Sequence, residues 1–291
     1  MTTYTIKNKV ILQKNKMQYT SIIVNMFKGV RKRILQLFNN QDAKVGLDFF
    51  TLKKLKHLPI GVEETFSFNN KLTYFFNPIE FLITYREIFK EEIYNAPLGP
   101  NPFIIDCGAN IGISTLYFKY RFPDAEVIAF EPDNKNFDFL QKNVKSWQLN
   151  NVNCRKQAVW IENTTLNFSS NADMGSKIES GDGSNTIKVE AIRLKDIINK
   201  KVDFLKIDIE GAEFDVLKDI KETLHLVENM FFEYHGSFAQ QQNLNDVFQI
   251  LTDAGFKYYI KEAASVYDKP FIPATSPKTY DVQLNIFCFR H

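Results

Sequence analysis

From Phe103 onward, short apolar runs alternate with segments whose apolar residues recur at helical spacing. The runs at 103–106, 126–131, 152–159, 202–208 and 227–234 read as strands, and those apolar throughout as strands buried on both faces. The intervening segments at 112–121, 134–147, 211–220 and 241–254 read as helices. Residues 161–192 carry no helical pattern. They predict a strand pair around Thr165–Ser169 and Thr186–Ile192, joined by a Gly/Ser/Asp-rich loop at 170–185. The chain closes with a strand at Tyr258–Lys261, a proline-containing loop, and a strand at Gln283–Arg290 antiparallel to it. This alternation predicts an α/β fold, a mostly parallel sheet with helices on both faces.

The first hundred residues follow a different pattern. Residues 1–20 read as peripheral. Phe66 and Phe68, then Asn69-Asn70-Lys71, then Leu72, Tyr74 and Phe76 alternate as a hairpin around an Asn-rich turn. Pro78 ends that pattern, and Ile79–Tyr94 reads as an amphipathic helix. Asn95–Pro102, with prolines at 97, 100 and 102, is the clearest linker. The expected division is therefore a 1–98 extension of amphipathic helix, hairpin and helix, followed by a 99–291 α/β domain. Residues 21–38 read as a basic amphipathic helix, with Lys28, Arg31, Lys32 and Arg33 interrupting its apolar side. Such a helix packs on the main domain or a partner subunit; peripheral contact with a membrane through 21–38 is the alternative.

Composition narrows the function classes. The chain has 291 residues and a formal charge of +2, with acids and bases interspersed, so neither a basic stripe for nucleic acid nor an acidic tail is present. Its three cysteines, Cys107, Cys154 and Cys288, lie far apart with no zinc or disulfide spacing. Together with polar first residues and no run long enough to span a bilayer, this leads us to expect a cytoplasmic protein.

The chemistry concentrates in three places. In Phe103–Gly112 a strand runs into Asp106, then Gly108, Asn110 and Gly112 before a helix. Gly108 permits positive φ and close backbone approach, and Gly112 opens a helix N-terminus. This is not the dinucleotide fingerprint, because Asn110 stands where a glycine would be needed. Asp106 would repel a pyrophosphate but hold an ammonium or sulfonium group. About twenty residues on, Glu131 closes the next strand, where an acidic side chain can accept both ribose hydroxyls, and Pro132 can pack on a base.

In Val202–Glu213, Lys206, Asp208 and Glu210 share one face at the C-terminal end of a strand that is otherwise apolar. They enter a polar cleft there; the bland reading is a buried ion-pair cluster, which is costly unless well paired. In Phe231–Gly236, Glu233 and His235 again share a face, and His235 is the general-base candidate by its ordinary pKa. Asp208, Glu210, Glu233 and His235 could instead hold Mg²⁺, but Lys206 beside them would compete with the ion, so no metal is assigned.

Asp-Cys-Gly-Ala-Asn-Ile-Gly (106–112), Phe130-Glu131-Pro132, Arg193-Leu-Lys-Asp-Ile197 and Lys206-Ile-Asp-Ile-Glu-Gly-Ala-Glu213 together resemble the FkbM family of methyltransferases. The resemblance runs from about Ile104 to Lys257. It implies a Rossmann-like fold with a seven-stranded sheet and a reversed final strand. It implies S-adenosylmethionine as cofactor and mainly O-methylation of a sugar, glycan or natural-product hydroxyl. Within it, Asp106, Gly108, Asn110, Gly112, Glu131 and Pro132 are the expected cofactor residues. His235 or Asp208 would deprotonate the acceptor, with Lys206 and Glu210 setting their charge. The competing classes are a non-catalytic nucleoside-binding module of the same fold and an NAD-dependent oxidoreductase.

Overall fold

The computed structural model describes residues 40–169, 177–178, 186–238, 243–267, 269–272 and 278–290. The expected helix at 21–38 and nearly all of the 170–185 loop lie outside these. Two short helices, α1 (Asn40–Lys44) and α2 (Phe49–Leu55), lead into a hairpin of β1 (Glu64–Phe68) and β2 (Lys71–Phe75). Its turn residues Asn69 and Asn70 both have positive φ, at 50° and 61°, the backbone a two-residue hairpin of this hand requires. Helix α3 (Pro78–Tyr85) follows, with Pro78 in its first turn and Asn77 as N-cap, accepting from the Glu80 N–H.

The predicted helix at 79–94 is cut short. After Tyr85 the chain makes a π turn over Arg86–Lys90, and Glu92 takes a φ of +51°. Ile88 and Phe89, both within that turn, are buried in the core. Ile93 and Tyr94 lie beyond the helix.

The main sheet begins with β3 (Phe103–Cys107). Then come α4 (Ile113–Arg121), β4 (Glu126–Phe130), α5 (Asn134–Ser146), β5 (Val152–Arg155), β6 (Ala158–Trp160), β7 (Thr164–Ser169), β8 (Lys177–Ile178), β9 (Thr186–Arg193) and α6 (Leu194–Ile197). The chain continues through β10 (Val202–Ile207), α7 (Glu213–Ile220), β11 (Val227–Gly236), α8 (Leu244–Asp253), β12 (Lys257–Glu262) and β13 (Val282–Phe289). Seven strands pair in the order β12-β13-β11-β10-β3-β4-β5. The pairings from β11 to β5 are parallel, and β13 is antiparallel to both neighbours.

The single strand expected at 152–159 is two. Beyond Arg155 the chain leaves the sheet edge, and β6 pairs with β9 in a second sheet of order β6-β9-β7-β8. Burial on both sides explains the departure: Val159 joins the core beside Leu194 and Ile220, while Ala158 packs with Val189 and Ala191. The expected antiparallel pairing within 161–192 is that of β7 with β9.

Alternate residues of the central strands feed two cores. Phe103, Ile105, Leu205 and Ile207 pack against α7 and α8; Ile104, Phe204 and Phe231 pack against α4, α3 and the hairpin. The segment before Phe103 therefore covers one face of the sheet. A buried amide secures it. Asn143 of α5 accepts from the Tyr74 N–H at 2.6 Å and donates to the carbonyls of Tyr74 and Ile111 at 2.9 and 2.8 Å. One side chain thus ties the hairpin to the glycine turn. Asn143→Ala strands three backbone groups, those of Tyr74 part-buried and that of Ile111 buried; it should lower unfolding free energy by roughly 2–4 kcal/mol, read from urea denaturation of both proteins.

Candidate active site

The even-numbered face of the central strands changes character along its length. Ile104 pairs with Phe204 in register, and one step further Asp106 pairs with Lys206. On β11 the same face carries Phe231, then Glu233 and His235, and on β13 Phe287, then Asn285. Apolar residues give way to polar ones at the C-terminal ends of the parallel strands, where open α/β sheets take their ligands. A cleft of about 200 Å³ opens there. Its floor is the glycine turn, Gly108–Ile111; one wall is Lys206, Asp208, Glu210 and Glu233; and its roof is Glu80, Phe81, Thr84, Glu87 and Tyr94 from the α3 segment.

Gly108 fixes the floor. Its φ is +83°, and a Cβ there would sit 1.8 Å from the Asp208 carbonyl oxygen. The Asp208 N–H also donates to the Cys107 carbonyl at 3.2 Å, and Lys206 Nζ donates to the Gly108 carbonyl at 2.7 Å. The tips of β3 and β10 are therefore locked together, with Lys206 buried beneath them. Burial alone would depress the Lys206 pKa, but Asp208, Tyr94 and Asp106 outweigh it and hold the ammonium charged.

Asp106 does not face the cleft. It is fully buried; its Oδ2 accepts from Ser114 and Thr115 hydroxyls at 2.6 and 2.8 Å, and its Oδ1 lies 3.6 Å from Lys206 Nζ. Its charge reaches the site through Lys206, not by the direct contact with a ligand's ammonium that the sequence suggested. Asn110 holds a positive φ of 48°; its N–H donates to Glu131 and its amide to Glu80, so the turn is tied to both β4 and the roof. Gly112 has a φ of +94° and packs on Leu140 at the start of α4. Glu131 is buried beside half-buried Pro132 and accepts from the N–H groups of Asn110 and Asp133 at 2.8 and 2.9 Å. Burial, partly offset by those two hydrogen bonds, pushes its pKa up to about 7.

His235 is held on both sides. Nδ1 meets Glu213 at 2.9 Å, and Nε2 faces Glu233 at 3.4 Å and Glu210 at 4.0 Å. Burial would lower its pKa, but the hydrogen bonds to Glu213 and Glu233 overcome this and push it up to about 11. The carboxylates on both sides favour the charged ring, and both ring nitrogens of the base candidate read from sequence are engaged by them. Glu213 is the residue that sequence reasoning underrated. Its buried carboxylate also accepts from the N–H groups of Ile209 and Gly211, clamping the tip of β10. Glu80 and Glu87 of the roof were missed as well, although they fall seven apart on one helical side.

A model described as the methyltransferase FkbM domain matches residues 106–258, more than half of the chain. The chain is a member of the FkbM methyltransferase family. This methyltransferase is 30% identical over 197 residues to Methyltransferase 1 of Beauveria bassiana, covering 57% of this chain and 78% of that one. It is 31% identical over 204 residues to methyltransferase sdnD of Sordaria araneosa, covering 56% and 79%. The 2-O-methyltransferase NoeI of Sinorhizobium fredii is 28% identical over 157 residues, covering 46% and 64%. The protein is accordingly an S-adenosylmethionine-dependent enzyme. Among the described residues no helix is long and apolar enough to cross a membrane.

The seat of Asp208 on Gly108 leaves this methyltransferase no room for a side chain at that position. Gly108→Ala forces the two strand tips apart, and should cost more than about 2 kcal/mol in denaturant unfolding and abolish S-adenosylmethionine binding in calorimetry.

Proposed function

We propose that this enzyme methylates a hydroxyl of a small-molecule or glycan acceptor, with Asp208 receiving the hydroxyl proton. The observation that carries the reading is the lock between Asp208 and Gly108, which sets one carboxylate on the cleft wall at a fixed distance from the turn. The name of the relative NoeI, a 2-O-methyltransferase, supports oxygen as the atom methylated.

The residues present suit the cofactor. The cleft is edged by backbone with a bare Cα at Gly108 and by carboxylates, a donor set for a cationic nucleoside and not for a phosphorylated one. Gly108, Asn110 and Gly112 would hold its amino-acid end, Glu131 its ribose and Pro132 its base. When bound, S-adenosylmethionine supplies an electrophilic methyl group on a cationic sulfur and leaves as a neutral thioether.

Acid catalysis is then unnecessary, and the chain's work is to orient the acceptor oxygen and take its proton. Orientation contributes about 7–11 kcal/mol and a base roughly 10²–10⁴-fold in rate. Asp208 is the base in this reading because both ring nitrogens of His235 are taken up by Glu213 and Glu233. Lys206, 3.2 Å from Asp208 Oδ2, anchors one carboxylate oxygen and leaves the other for the acceptor. Glu210 and Glu233 keep His235 in place, and His235 in turn fixes Glu233.

Asp208→Asn should keep cofactor affinity within about threefold while turnover falls roughly 10²–10⁴-fold, measured by release of S-adenosylhomocysteine. Equal turnover in the two proteins refutes Asp208 as the base. The ribose assignment has its own pH signature. Glu131 titrates near 7 and accepts two ribose hydroxyls only when ionised. Cofactor affinity should therefore rise roughly tenfold from pH 6 to pH 8, and Glu131→Gln should flatten that rise.

A further inference from the structure

The glycine turn spends its own donors. The N–H groups of Gly108 and Ala109 go to the Phe130 carbonyl and that of Asn110 to Glu131. That of Ile111 goes to Asn110 Oδ1, and that of Gly112 to the Ala109 carbonyl. What the turn offers a ligand is its shape and its carbonyl oxygens, which suit a cationic group. The shape hinges on Asn110, which takes a φ of 48° without glycine's freedom.

The Asn110 side chain is fixed from outside the turn. Its Nδ2 donates to Glu80 Oε1 at 3.0 Å, which leaves Oδ1 to accept from the Ile111 N–H at 2.6 Å. Exchanging the two ends of the amide would set acceptor against acceptor at Glu80 and donor against donor at Ile111. Glu80 thus decides which way the amide faces. Glu80 is itself placed by the start of α3. Its N–H donates to Asn77 Oδ1 at 3.3 Å and its Oε2 accepts from Asn77 Nδ2 at 3.2 Å, a reciprocal cap that leaves Oε1 for the turn. Asn143 makes a second grip next door, from the Ile111 carbonyl to Tyr74. Adjacent turn residues are therefore tied to α3 and to the hairpin, both outside the 106–258 stretch that matches the family.

We propose that Glu80 is a positioning residue for S-adenosylmethionine, acting through Asn110 on the turn that seats the cofactor. Asn110 stands between two carboxylates, its amide on Glu80 and its N–H on Glu131 at 2.8 Å. Freeing the amide loosens the left-handed residue, and with it the N–H that Glu131 accepts. The segment before Phe103 is then a working part of the cofactor site and not only a cover for the sheet. This rests on the Gly108–Gly112 turn as the cofactor's seat. The competing role for Glu80 is the cap of α3 alone.

The test is calorimetric titration of the full chain with S-adenosylmethionine, with urea unfolding alongside. Glu80→Ala should weaken binding about tenfold. In an Asn110→Gly background, which allows the positive φ without the amide, Glu80→Ala should change affinity by less than about twofold. Full additivity of the two substitutions overturns the proposal. So does an Asn77→Ala variant that loses as much affinity as Glu80→Ala, since the cap is then what matters. The pH profile gives a readout that a cap would not move. The Asp133 and Asn110 N–H groups and Lys206 favour the ionised Glu131, against burial and the Asp133 charge. Loss of the Asn110 donor should therefore move the midpoint of the affinity rise above pH 7 in Glu80→Ala. A midpoint that stays or falls overturns the relay through Asn110. Wild-type affinity that is flat from pH 6 to pH 8 removes Glu131 from the ribose, and the Asn110→Gly comparison alone then decides Glu80. Unimpaired binding by Gly108→Ala removes the turn as the cofactor's seat, and the role of Glu80 with it.

Discussion

The backbone contact between Gly108 and Asp208 sets the geometry on which the rest of the site depends. Parallel pairing brings β3 and β10 side by side, but pairing alone does not determine how their ends diverge. The bare Cα of Gly108 lets the Asp208 carbonyl come within a distance that any side chain would forbid. Lys206, reaching up from beneath to the Gly108 carbonyl, closes the same gap from the other side. Floor and wall of the cleft are thereby one rigid unit, and such rigidity is the main resource of an enzyme whose chemistry is orientation.

Burying so many ionisable groups is expensive unless each charge meets an opposite one. The protein meets this cost unevenly. Asp106, Lys206, Glu213 and His235 are paired deep in the structure, and they hold backbone and side chains in place. Toward the opening the balance lapses: burial and neighbouring carboxylates raise the pKa values of Glu87 and Glu210, and raise Glu233 to about 7. Closely paired charges build the frame, and carboxylates held by longer contacts line the cleft.

Much of this was legible from the chain alone. The central strands read correctly because buried parallel strands are apolar on both faces, and the intrusion of Lys206, Asp208 and Glu233 into that pattern marked the cleft. Positive φ at Gly108 follows from the residue type; its contact with Asp208 does not, because strand neighbours are set by tertiary pairing. The same limit hid the state of His235. Sequence shows a histidine at a strand end, but its charge depends on Glu213, twenty-two residues earlier and brought in by α7. The break after Arg155 and the π turn at Arg86–Lys90 were invisible for a related reason: both exist to satisfy packing against distant elements.

The π turn has a consequence for how the roof is phased. An α-helix rotates about 100° per residue, so one additional residue in a turn re-indexes every side chain on one side of it relative to the other. Glu80, which reaches Asn110, lies before the turn, whereas Glu87, which reaches Asn285, lies within it. The insertion is therefore the gear that lets a single short helix engage two strand tips on opposite sides of the sheet's midline. A chain regularised by losing that residue would keep its hydrophobic anchors only by swinging one of the two carboxylates out of mesh.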